Sequence, residues 1–151
     1  MSDVFISYNS ADERLARFVH QHLVAEGVSA FLASVSLQPG DKWTPEVFSN
    51  LSAAKWVIFL ASRRACTSPY VLQELGAALA SQKKLVPVIW DIQPNELPGW
   101  VNQHQALNLA GRSIEELRAE IVEIARRIKQ DRANGLLAVG LLIAGLAAFS
   151  K

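Results

Sequence analysis

One cysteine, Cys66, stands in 151 residues. An internal disulfide is therefore excluded, which fits a reducing cytosol. Net charge is nearly absent as well: 15 basic against 14 acidic side chains leave +1 with His neutral. That balance gives no reason to expect a polyanion such as nucleic acid as partner. The opening "MSDVFISYNS" holds neither a basic start nor a long apolar stretch, so it does not read as a secretory signal. Histidine is too sparse and too badly spaced for a metal. His20 and His22, two apart, leave a helix on different sides, and His104 has no evident companion. Internal repeats are missing, and so is low complexity outside the C-terminal tail.

What is there is a folded chain: 50% apolar and 19% charged residues, long enough to bury a core. "DVFISY" alternates and is rich in β-branched and aromatic residues, a strand at about 3–8. Ser10 and Glu13 have capping-box spacing for a helix whose buried face is Leu15, Phe18, Val19, His22 and Leu23. Gly27 ends it, where a left-handed residue is cheap. "VSAFL" (28–32) is a short second strand, and "ASVSLQPGDKW" (33–43) a loop. Thr44-Pro45 opens a helix to about Ala54. "KWVIFLAS" (55–62) is a continuous apolar strand buried on both faces. Ser68-Pro69 starts a helix over about 69–82. "KLVPVIWDI" (84–92) is a further strand, in which Pro87 argues for an edge side or a bulge. "QALNL" supplies a last short strand. Ser113 and Glu116 form a second capping box before Ile114, Leu117, Ile121, Ile124 and Ile128, a long amphipathic helix to about 131. Strands alternating with helices predict right-handed crossovers, hence a parallel sheet with helices on both faces.

The tail changes character. Gly135 to Phe149 is an uncharged apolar run, preceded by Arg126, Arg127, Lys129 and Arg132. We read residues 1–131 as one α/β domain and 132–151 as a C-terminal hydrophobic helix, a membrane anchor or an assembly helix. The basic flank suits the cytoplasmic side of a membrane. Gly140, Ala144 and Ala148 permit close helix–helix approach. Against the anchor, the run gives only about 22 Å of helix where a hydrocarbon core is roughly 30 Å thick.

In an open parallel sheet ligands bind beyond the carboxyl ends of the strands. Three loops arrive there, "SYNSAD", "ASVSLQPGDKW" and "SRRACTS", bringing Tyr8, Trp43 and Tyr70. Glu74 lies one turn into the helix after the third. Rings that stack on bases beside a carboxylate that accepts ribose hydroxyls suit a nucleotide. The ordinary reading of Glu74 is an exposed residue near a helix's positive end, and that of Cys66 an idle thiol.

"DVFISYNSADE", "SLQPGDKW" and "WVIFLASRRACTSPYVLQEL" together resemble the Toll/interleukin receptor (TIR) domain, over about residues 3–130 and in that family's order. The resemblance implies a flavodoxin-like fold with a central five-stranded parallel sheet. It also implies cleavage of the nicotinamide–ribose bond of NAD, as substrate and with no cofactor, by a glycohydrolase or a cyclase. Glu74 would be the catalytic residue. Tyr8, Ser36, Gly40, Lys42, Trp43 and Tyr70 would bind substrate. Family members often assemble through TIR–TIR contacts, so the resemblance further implies a homo-oligomer acting in bacterial immune defence. This sequence departs from the pattern in two places: Ala33 and Ser34 stand where many members have an acidic residue, and Tyr70 stands where tryptophan is usual. Two other readings stay open, a signalling scaffold without catalysis and a receptor for a nucleotide messenger.

Overall fold

The computed structural model describes residues 2–34, 44–67, 72, 75–76, 83–103 and 105–149, and side chains as far as 134 except at 100 and 103. Five parallel strands form one sheet: β1 (Val4–Tyr8), β2 (Ala30–Ser34), β3 (Trp56–Leu60), β4 (Lys84–Ile89) and β5 (Leu107–Asn108), in the order β2-β1-β3-β4-β5. That is the flavodoxin-like order, in which the direction of winding reverses between β1 and β3. Among the described residues the α-helices are α1 (Glu13–Ala25), α2 (Pro45–Ala53) and α3 (Ile114–Phe149); the helix expected over 69–82 falls largely outside them.

Alternation along the strands divides the core in two. Val4, Ile6, Trp56, Ile58, Leu60 and Val88 face α1 and α3 and meet Val19, Leu23, Ile121 and Ile128. Phe5, Val57, Phe59, Leu85 and Ile89 face the other way, with Leu51 of α2 and with Leu72 and Leu75. Every side chain of β1 and β3 is buried, as expected of central strands covered on both faces. Each large aliphatic removed from water there contributes about 1.5–3 kcal/mol.

Several element ends differ from the sequence reading. α1 begins at Glu13, after a 3-10 turn over Ser10–Asp12 in which Asn9 Oδ1 accepts from the Ala11 N–H. Glu13 pairs with Arg17 at 2.9 Å, one turn along the helix. At the other end Gly27, at φ +83°, closes a Schellman motif: its N–H reaches Val24 O and the Val28 N–H reaches Leu23 O. Val28 is therefore occupied by the helix exit, and Ser29 by hydrogen bonds with Asp3. This is why β2 starts at Ala30, two residues later than expected. Thr44 Oγ1 caps α2 by accepting from Val47 N–H. Ser113 Oγ caps α3 by accepting from Glu116 N–H, with the Glu116 carboxylate reaching back. Both caps agree with the sequence.

The long helix does not stop near 131. α3 runs unbroken to Phe149, so residues 132–149 continue it and form no separate helix. Nothing between Asp131 and Asn134 is a proline, and Arg and Ala there are good helix formers. α3 is fastened where it passes the base of the sheet. Asp131 accepts from Lys84 Nζ at 2.6 Å and from Trp56 Nε1 at 3.1 Å, and Arg132 meets Asp3 at 3.1 Å. Arg127 lies over the Trp56 ring at 5.5 Å. Two of the four cations read as a membrane flank are thus engaged with the body of the domain. Among the described residues no helix is long and apolar enough to cross a membrane, so the anchor expected at 134–150 gains no support from the structure.

Candidate functional site

The carboxyl edge of β1 and β3, where the winding reverses, is the place for a ligand in this topology. β1 delivers Tyr8 to that edge, in register with Ser34 of β2. Tyr8 is 7% exposed and packs in the cluster beneath α1 and α3. It therefore lies on the sheet face opposite to that of Leu72 and Leu75. Glu74, Tyr70, Ser36, Gly40, Lys42 and Trp43 lie outside the described residues. Ala33 and Ser34 are the last residues of β2, not loop residues, and Ala33 is buried.

The loops at this edge are braced across the sheet by side chains that were not singled out from sequence. Ser62, two residues past β3, is buried, and its Oγ donates to Asp12 Oδ2 at 2.5 Å. The same oxygen accepts from Ala65 N–H at 3.2 Å. Asp91, past β4, accepts from Arg63 N–H at 2.9 Å, and its carbonyl accepts from the Arg63 guanidinium at 3.1 Å. Arg63 also approaches Glu96 at 3.6 Å. The loops after β1, β3 and β4 are thereby joined in sequence across the edge. The signal was in the quoted stretches "SYNSAD" and "SRRACTS", as a short acid and a hydroxyl at adjacent strand ends. Which would pair with which needed the strand order.

Ser7 of β1 is fully buried, and its Oγ has no hydrogen-bond partner among the described residues. It shares register with Ala33 and Phe59. Cys66 follows the brace. Burial, and secondarily the charge of Asp91, push its thiol up to about 11, so it is protonated and a poor nucleophile near neutral pH. The two helix histidines are each held by a carbonyl, His20 Nε2 with Ala30 O at 3.0 Å and His22 Nδ1 with Phe18 O at 2.9 Å.

A groove of about 550 Å³ opens at the other end of the sheet, lined by Trp56, Lys84, Val86, Leu107, Ile124 and Arg127. It lies at the amino-terminal half of β4, away from the carboxyl edge. We give it no part in the ligand site for that reason.

A family model described as TIR domain matches residues 4–122. A probable 2′ cyclic ADP-D-ribose synthase, BdTIR, from Brachypodium distachyon is 30% identical over 97 residues, covering 63% of this chain and 43% of the relative. The chain thus matches less than half the length of that protein. Among solved structures, the TIR domains of the activated Roq1 resistosome that recognises the effector XopQ superpose with a TM-score of 0.67 at 16% identity, covering 82% of this chain and 98% of that one. A metazoan TIR-STING receptor from C. gigas, in complex with 2′,3′-cGAMP, gives 0.64 at 22% identity over 83% of this chain and 39% of the receptor.

Proposed function

The chain belongs to the TIR domain family, and from that membership we propose that it cleaves the nicotinamide–ribose bond of NAD, with Glu74 as the catalytic residue. The observation that carries the reading is the 30% identity to a relative named as a probable cyclic ADP-ribose synthase. The braced carboxyl edge, which brings Tyr8 and the lead-in to Glu74 to adjacent strands, is in keeping with it.

The chemistry suits so sparse a site. Glycosidases flank their bond with two carboxylates because an alkoxide leaving group needs a proton. Nicotinamide takes the electron pair of the broken C1′–N bond and departs neutral, so no general acid is required. What is left is a positive charge on the ribose. A single carboxylate held against that charge in a water-poor crevice lowers the barrier. Water then attacks C1′ to give ADP-ribose, or a nucleophile from the adenosine half attacks to close a ring. Either way one proton passes to solvent. Ser36, Gly40, Lys42, Trp43 and Tyr70 would line the substrate, and Tyr8, buried beneath α1 and α3, would back the edge from the other face. No cofactor takes part.

We further propose that the domain works as a homo-oligomer through TIR–TIR contacts, on the cytoplasmic side, with the tail at 134–150 concentrating or anchoring it, in bacterial immune defence. The scaffold reading differs in that Glu74 would be idle.

The test is nicotinamide release by concentrated full-length protein. The wild type should release it, and Glu74→Gln should lose about two to three decades of rate. An assembled wild type that releases none would hand the case to the scaffold.

A further inference from the structure

Asp12 stands at the N-cap position of α1, where an aspartate normally accepts from the first free N–H groups of the helix and contributes about 1 kcal/mol. Its side chain makes no such bond. The carboxylate turns to Ser62 Oγ at 2.5 Å, the length of a charge-assisted O–H···O⁻ bond. Ser62 is 2% exposed, so the hydroxyl has little water to compete for it. Its oxygen also takes the Ala65 N–H at 3.2 Å, at the start of the 3-10 turn Ala65–Thr67. That turn begins the stretch of chain that leads to Glu74. The next residue, Arg63, is held from the opposite side by Asp91. A helix cap has been given up for a bond between two loops, and both loops serve the carboxyl edge.

We propose that Ser62 and Asp12 are a positioning pair for the reaction. Their bond sets the loop after β1 against the segment leaving β3, the segment that leads in sequence to Glu74. This rests on the NAD-cleaving reading and deepens it. Neither residue touches substrate in this role. A pair that orients reacting groups acts on turnover more than on substrate affinity, because a displacement of the order of 1 Å at a reacting centre can cost up to about a hundredfold.

Nicotinamide release is to be measured well below the melting temperature, at matched oligomer state. Ser62→Ala and Asp12→Ala should each lower kcat about tenfold and leave KM within about twofold. Ser62→Thr, which keeps the hydroxyl, and Asp12→Asn, which keeps an acceptor oxygen, should recover most of it. The double variant Ser62→Ala/Asp12→Ala should be no slower than either single one, as for two groups acting through one bond. Amide exchange at Ala65 should quicken in Ser62→Ala while core amides stay protected. A Ser62→Ala enzyme with wild-type kcat, or a double variant whose losses multiply, overturns the pair and leaves the catalytic reading of Glu74 intact. A wild type that releases no nicotinamide in any assembled state overturns that reading and the pair's role with it. Should Ser62→Ala fail to fold, the split between Asp12→Asn and Asp12→Ala decides alone: equal kcat values overturn the pair, and a faster Asn variant supports it.

Discussion

Ser7 carries a fully buried hydroxyl with no hydrogen-bond partner among the described residues. Leaving a buried polar group unmatched costs about 1–3 kcal/mol. Ser7→Ala removes the hydroxyl with almost no change of shape, so the variant should be more stable, by about 1 kcal/mol in denaturant unfolding. A less stable variant would mean that the hydroxyl has a partner in solution. Nothing in "DVFISY" foretold this, because alternation reports which face a residue takes and not whether its polar atom is matched there. The idle reading of Cys66 was legible, since burial and a neighbouring acid both hold the thiol protonated. Of the residues proposed for the site, sequence placed Tyr8 at a strand end correctly. The structure adds that its ring packs under α1 and α3.

Helix ends show where local signals suffice and where they do not. Thr44, Gly27 and the Ser113–Glu116 box act as their spacing says, because each cap closes within one turn of chain. At α1 the expected box gives way to a 3-10 turn, and Asp12 is drawn off by Ser62, fifty residues away in sequence. Sequence spacing carries no information on such a competitor. The fastening of α3 is equally long-range and has a pH signature. Asp131 is held below its ordinary 3.8 by the hydrogen bond from Lys84, against some desolvation, with further help from the charge of Lys84, from Trp56 and from Arg127. A carboxyl depressed in the folded state stabilises fully above its unfolded value, and that contribution is lost as pH falls through the lower folded one. The wild type should therefore lose stability on acidification below about pH 4, and Lys84→Met should flatten that part of the curve. The pair is half-exposed, so the effect will be small and weaker in high salt. Identical acid limbs for the two proteins would deny the fastening any role.

For the molecule as a whole, the alternation of strands and helices was enough to give the sheet, its parallel sense and its two covered faces. The reason is physical: parallel strands need crossovers, and crossovers need helices long enough to show their period. The tail was legible only in part. Composition marked a change after the basic cluster, yet the backbone passes through it as one helix. Under the anchoring proposal, full-length protein should sediment with membranes after carbonate washing and a chain truncated after Ala133 should not. Equal distribution of the two would remove the anchor and leave assembly as the tail's use.

Pro87 bears on how this sheet keeps its own company. β4 pairs with β5 at Val88 and Ile89, and from Lys84 to Pro87 its outer side meets no other strand among the described residues. A bare stretch of that kind invites a foreign strand, and runaway stacking is the hazard. A ring nitrogen without hydrogen cannot extend such a ladder, and Lys84 puts a charge at its mouth. The amino acid that looked out of place inside a buried strand thus denies an incoming strand a hydrogen bond along this part of the sheet's margin.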